Sequence, residues 1–165
     1  MKKRVLYLHG LESSNVCDKV DFLRERVDLL APSIDYRKSN IEAELMYMVE
    51  SFKPDLIIGS SMGGHCALML ANYYNVECIA FNPAIHSRSI EPKLDRLEAK
   101  DPRFSFQPLI VLGMEDDVID PNVSKEIFDG VDFDHEIIEV EGMGHRVPFD
   151  VFVNIYNICI DNNEL

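Results

Sequence analysis

The sequence predicts an α/β fold, a mostly parallel six-stranded sheet flanked by helices. Three observations carry this expectation. Six short apolar, β-rich runs alternate with stretches of helical character, and such alternation lays crossover helices over both faces of a parallel sheet. The chain has 165 residues, which is the length of about one domain, so 1–165 is expected to form one unit. Hydrophobic residues make up 47% and charged residues 27%, a balance that excludes disorder, collagen or coiled coil as the main state.

The elements follow in order. Val5 to Leu8 is an apolar strand ending at His9-Gly10, and residues near Asp18 to Arg26 read as a helix. Val27 to Ile34 is a second, weaker strand interrupted by Pro32. Ser39-Asn40-Ile41-Glu42 has the form of a capping box. After it, Ile41, Leu45, Met48, Val49 and Phe52 recur at helical spacing. Leu56-Ile57-Ile58 is a short buried strand, and Met62 to Tyr74 is a helix apolar on most sides, as suits burial in the centre of a sheet protein. Val76 to Phe81 is a strand stopped by Asn82-Pro83, and Pro108 to Leu112 is another, ending at Gly113. Asp120-Pro121 opens a helix with a capping residue and a first-turn proline. His135 to Val140 is the last strand, and Phe149, Phe152, Val153, Tyr156 and Ile160 mark the apolar stripe of a C-terminal helix.

Charge and cysteine usage narrow the partners. Sixteen basic against 29 acidic residues give a net charge of −13, which argues against nucleic acid, because phosphate binding needs concentrated Lys and Arg. Lys2-Lys3-Arg4 reads as a solvated start to the first strand. No apolar run approaches the roughly 20 residues that cross a bilayer, and the stretch from Arg4 to Gly10 is too short and too polar at its ends for a signal peptide. The four cysteines, at 17, 66, 78 and 159, match no zinc or redox spacing. Cys66, Cys78 and Cys159 lie in apolar stretches and read as core residues, so a reducing cytoplasm is the expected compartment. The oligomeric state leaves no mark in the sequence.

In parallel sheets the chemistry lies beyond the carboxyl ends of the strands. After the third strand comes Gly59-Ser60-Ser61-Met62-Gly63, a G-x-S-x-G string between a strand and a helix. That setting is the nucleophile elbow, a sharp turn that pushes one hydroxyl into the open above a helix N-terminus. Ser61 is the expected nucleophile; Ser60 has no glycine two residues before it. A serine needs a base. His145, in Glu141-Gly142-Met143-Gly144-His145 after the last strand, has glycines that let a loop carry the imidazole back over the sheet. His9 is expected to pack in the first strand turn, His65 lies on the elbow helix, and His86 and His135 lack a strand-end glycine setting. The base needs an acid. Asp116 and Asp117 after the fifth strand both qualify, Asp116 is favoured, and Glu115 ranks third. Two backbone N–H groups, those of Met62 and Leu11, are expected to hold the oxyanion, with Ser13 and Ser14 as turn residues that shape the loop. The order serine, acid, histidine is that of the α/β-hydrolase arrangement.

Leu6-Tyr7-Leu8-His9-Gly10 with Ser13-Ser14, Gly59-Ser60-Ser61-Met62-Gly63-Gly64, Asn82-Pro83-Ala84 and Glu141-Gly142-Met143-Gly144-His145 are spread over most of the chain. In that order they resemble the small bacterial YqiA-like esterases of the α/β-hydrolase superfamily. The resemblance implies a shortened hydrolase sheet lacking the first two strands, with Ser61, Asp116 and His145 as its triad. Two departures bear on the acyl pocket and not on the triad: Leu11 stands where phenylalanine is frequent, and His65 where an aromatic is common.

The expected reaction is cleavage of a small-molecule ester of a short acyl chain through an acyl-enzyme, with no metal or organic cofactor implied. The segment from Asn82 to Phe106, where related hydrolases insert a lid, is too short for a large apolar cap and carries nearly balanced charge, so a shallow, open site is expected. A thioester or an amide is cleaved by the same groups. A non-catalytic binding protein on this fold is the reading of a different class, and a missing triad member would favour it.

Overall fold

The computed structural model describes residues 1–161. Its strands are β1 (Arg4–Leu8), β2 (Asp28–Leu30), β3 (Leu56–Ser60), β4 (Glu77–Phe81), β5 (Leu109–Gly113) and β6 (Glu136–Val140). They form one sheet in the order β2-β1-β3-β4-β5-β6, and every neighbouring pair is parallel. The helices are α1 (Asp18–Arg26), α2 (Ile41–Phe52), α3 (Met62–Tyr74), α4 (Asp95–Glu98), α5 (Pro121–Asp129) and α6 (Phe149–Asp161). None of the described helices is long and apolar enough to cross a membrane.

Strand alternation sorts the core into two layers. Leu6, Leu8, Ile57, Ala80, Ile110 and Leu112 face one side and pack with buried residues of α2, α3, α4 and α5. Val5, Tyr7, Leu56, Ile58, Ile79, Phe81 and Val111 face the other and pack with Val20 and Leu23 of α1 and Phe152, Ile155 and Tyr156 of α6. Neighbouring β1 and β3 are the point where the strand order reverses, since β2 lies outside β1 while β4 to β6 follow β3. The loops leaving β1 and β3 therefore lead to helices on opposite faces of the sheet, and such a switch point is the usual place for a ligand.

Several local expectations are corrected. The second strand stops at Leu30, before Pro32, and the chain beyond it turns inward so that Ile34 N–H and Tyr36 O–H reach His9. The capping box before α2 does not form: Asn40 is the residue before the helix, with no side-chain cap. Glu42 instead accepts from the Arg96 and Leu97 N–H groups at 2.7 and 3.1 Å, capping the N-terminus of α4. Phe149 is 42% exposed rather than part of the buried stripe of α6. Cys66 and Cys78 are buried as expected, whereas Cys159 is half-buried against the second layer. Asp120 does cap α5, accepting from Asn122 N–H at 2.9 Å ahead of Pro121.

The segment between β4 and β5 contains only the four-residue α4. Its Leu94 and Leu97 are fully buried in the first layer. Held down by these anchors, it lies on the body of the molecule and forms no large lid.

Candidate active site

The β3–α3 turn places Ser61 at φ 54°, ψ −117°, outside the regions that ordinary residues favour. The glycines around it are dictated by contact. A Cβ on Gly59 would run into the Gly63 carbonyl, and a Cβ on Gly63 would run into the Leu8 carbonyl at the end of β1. Only glycine lets α3 start this close to β1 and β3 together. Ser61 is then fixed through its own backbone: its N–H donates to Phe81 O at 3.0 Å, and its carbonyl accepts from Ala84 N–H at 2.9 Å.

Ser61, His145 and Asp116, from three separate strand ends, meet in series. Ser61 Oγ lies 3.0 Å from His145 Nε2. His145 Nδ1 lies 2.8 Å from Asp116 Oδ2. A carboxylate only accepts, so Nδ1 carries the proton and Nε2 is free to accept from the Ser61 hydroxyl. Asp116 is 7% exposed. Its other oxygen, Oδ1, accepts from the N–H groups of Val118 and Ile119 at 2.8 and 2.9 Å. Asp117 and Glu115 are exposed, and among the described residues neither side chain makes a hydrogen bond or ion pair with His145. Of the three acidic residues in this loop, Asp116 is the one that meets the imidazole. Its approach depends on Gly113, where a Cβ would collide with the Met143 carbonyl and lie 2.7 Å from Gly144 O.

The loop after β1 lies against Ser61; a Cβ on Gly10 would sit 3.4 Å from the Ser61 Cβ. The Gly10 carbonyl accepts from His9 Nδ1–H at 2.6 Å and from Ser13 N–H at 3.2 Å. Because a trans peptide points its C=O and N–H in opposite directions, pinning the Gly10 carbonyl also sets the direction of the Leu11 N–H. His9 is pinned in turn: its Nε2 accepts from Ile34 N–H at 2.9 Å, and its carbonyl accepts from Tyr36 O–H at 2.6 Å. Burial pushes the Tyr36 phenol well above its ordinary value, so it remains a donor. The N–H groups of Leu11 and Met62 have no acceptor among the described residues. His9 thus packs in the strand turn as expected, but sequence reasoning missed that its ring holds this peptide; the signal was the His9-Gly10 pair itself.

The remaining histidines lie elsewhere. His86 Nε2 meets Ser124 Oγ at 3.0 Å, and His135 Nδ1 meets Phe133 O at 3.0 Å. His65, one turn into α3, is 6% exposed, and neither ring nitrogen has a hydrogen-bond partner among the described residues. Burial first, then the nearby Arg88 charge, holds it down to about 4. It is a neutral ring under the segment that follows β4.

The model of an uncharacterised protein family, UPF0227, matches residues 4–107. This is the family of the YqiA-like proteins that the motifs resemble. No curated protein matches the chain by sequence. Among solved structures, a putative hydrolase of the α/β superfamily from Xanthomonas campestris pv. campestris covers 100% of both chains at 16% identity and a TM-score of 0.72. A monoacylglycerol lipase from Paleococcus ferrophilus covers 95% of this chain and 91% of its own at 14% identity and a TM-score of 0.70. The esterase PE8 covers 97% and 92% at 18% identity and a TM-score of 0.65. These likenesses establish the α/β-hydrolase fold.

Proposed function

The chain belongs to UPF0227, a family whose description states no activity, and we propose that this member is a serine hydrolase that cleaves carboxylic esters of short acyl chains. The observation that carries the reading is the unbroken series from the Ser61 hydroxyl through His145 to the buried Asp116. In the proposed reaction Ser61 Oγ attacks the ester carbonyl while His145 Nε2 takes its proton. The carbonyl oxygen gains negative charge and settles against the N–H groups of Leu11 and Met62, which have no acceptor of their own. The C–O bond to the alcohol breaks, and His145 returns the proton to the departing oxygen. A water, deprotonated by the same nitrogen, then attacks the acyl carbon; the bond from that carbon to Ser61 Oγ breaks, His145 returns the proton to Oγ, and the acid leaves. Asp116 accepts from Nδ1–H throughout, so that the neutral ring accepts at Nε2 and the imidazolium formed between the steps is stabilised.

Short acyl chains are favoured because the segment between β4 and β5 is anchored by Leu94 and Leu97 and holds only a four-residue helix, too little chain to build a large apolar cap. The test is labelling with a fluorophosphonate and turnover of esters and thioesters graded by chain length. Wild type should label and should hydrolyse the short esters fastest. Ser61→Ala should lose both labelling and turnover. Turnover retained by Ser61→Ala would remove Ser61 from the reaction, and an unlabelled, inactive wild type would favour a binding protein on the hydrolase fold.

A further inference from the structure

Asn82, the residue after β4, is 1% exposed and sits at φ 41°. Its left-handed backbone is one that asparagine tolerates better than most side chains. The N–H donates to Val111 O of β5 at 2.8 Å. The side chain is fully engaged. Oδ1 accepts from Gly113 N–H at 2.7 Å. Nδ2 donates to two consecutive carbonyls, Gly144 O at 3.1 Å and His145 O at 3.0 Å. The orientation of the carboxamide is forced, because an N–H can only donate and a carbonyl can only accept. One buried amide therefore joins the end of β4, the end of β5 and the main chain on either side of the His145 imidazole.

We infer that Asn82 is a positioning residue for His145. The imidazole stands on a loop in which Gly142 and Gly144 precede it, and these supply little stiffness of their own. Besides the buried side chains of Met143 and Val147 on either side of it, the loop near the ring is tied to other elements by Glu115 N–H donating to Met143 O at 3.0 Å and by the two bonds from Asn82 Nδ2. The second pair grips the main chain of His145 itself. Since Oδ1 of the same amide holds Gly113, three residues before Asp116, a shift of the acid loop and a shift of the base loop are coupled through one side chain. The inference rests on the proposed roles of Ser61 and His145, and it concerns the alignment of the proposed base rather than the existence of the reaction.

The discriminating variant is Asn82→Asp. Aspartate keeps the shape, tolerates the left-handed backbone, and still accepts from Gly113 N–H. It turns an oxygen toward the Gly144 and His145 carbonyls, where a donor stood. The measurements are kcat and KM on a short ester, and the downfield proton resonance of His145 Nδ1–H bonded to Asp116, which can be read without any substrate. We expect kcat to fall about a hundredfold, as for a displacement of about 1 Å, with KM little changed and the Nδ1–H resonance shifted or broadened. Asn82→Gly, which removes the clash and the backbone strain, should show the same split if the aspartate variant does not fold. Folded variants with unchanged kcat and an unchanged resonance would overturn the inference while leaving the proposed function intact. Failure of both variants to fold would also overturn it, making Asn82 a structural residue only. A wild type that shows the resonance but no hydrolysis would instead overturn the proposed function.

Discussion

Replacing Asp116 by asparagine tests the proposed proton path more closely than removing the serine does. The change is isosteric, and the structure says how the new amide must turn. Asp116 Oδ1 accepts from two main-chain donors, Val118 and Ile119. The introduced carboxamide would have to keep its carbonyl oxygen there, because its NH₂ cannot face two N–H groups. The NH₂ would then point at His145 Nδ1, which in the wild type lies 2.8 Å from a carboxylate oxygen. A neutral imidazole must answer with an unprotonated Nδ1, which puts its one proton on Nε2, facing Ser61. In that tautomer the ring cannot take the serine proton. An acid-to-amide exchange of this kind costs about 10⁴-fold in rate, or about 5.5 kcal/mol of barrier. Stability should change far less, because both main-chain bonds survive; exchanging one charge-assisted bond for a neutral one costs about 1 kcal/mol. The assay is kcat on a short-chain ester beside a urea denaturation curve. Asp117→Asn is the control, since Asp117 is exposed and makes no hydrogen bond or ion pair with His145, and its rate should stay near wild type. An Asp116→Asn enzyme with more than about a tenth of the wild-type rate, against the expected 10⁴-fold loss, would refute the tautomer argument, as would an equal loss in both variants.

Two further predictions concern stability. His65 is buried without a hydrogen-bond partner and held at about 4 against an ordinary 6.5, so between those values the unfolded chain binds a proton that the folded chain refuses. Stability from this residue is therefore intact above about pH 6.5, drains away as the pH falls, and is fully lost by about pH 4, a total of about 3 kcal/mol. His65→Leu should flatten the fall in urea midpoint over that window, and curves that run parallel for wild type and variant would refute the assignment. Ser61 sits at a positive φ, a conformation that costs roughly 1–3 kcal/mol for a residue with a Cβ. Ser61→Gly should therefore unfold at higher urea than Ser61→Ala, by about 1 kcal/mol, both lacking the hydroxyl; an equal or lower midpoint for the glycine variant would show that the turn is unstrained.

The fold is legible because the signals that define it are short-range. Six apolar runs and the helical spacings between them sit in consecutive residues, and each lies within a few positions of its observed place. The second strand is overread because Val27 to Ile34 is apolar enough to pair. Only the inward turn of Ile34 and Tyr36 onto His9 takes it away from the sheet. The capping box fails for a similar reason. Glu42 has a better use 54 residues away, on the N–H of Arg96, and no local pattern records that. At the site, Gly59 and Gly63 are informative because the constraint they answer, close approach of β1, β3 and α3, is common to every strand–serine–helix turn of this shape.

The choice between Asp116 and Asp117 shows where such reading stops. Both are followed by residues whose N–H groups, two and three positions on, are able to bond a turning carboxylate. Local chemistry treats the two alike. The difference is made by the floor on which the loop rests. Gly113 leaves room for the Met143 and Gly144 carbonyls directly over the end of β5, and Glu115 N–H then donates to Met143 O. With residue 115 tied on that side, Asp116 is the one turned under His145 and Asp117 is left in solvent. Asn82 works by the same long-range logic. An asparagine before a proline reads locally as a strand stop, and it is one. Its carboxamide acquires a second use only after β4 and β5 are adjacent and the last loop has folded back over them. The residues proposed to carry chemistry announce themselves by type and strand-end placement. Those that hold them in register are inconspicuous until the sheet has assembled, and in this protein those are His9, Asn82 and the main-chain N–H groups of Val118 and Ile119 behind Asp116.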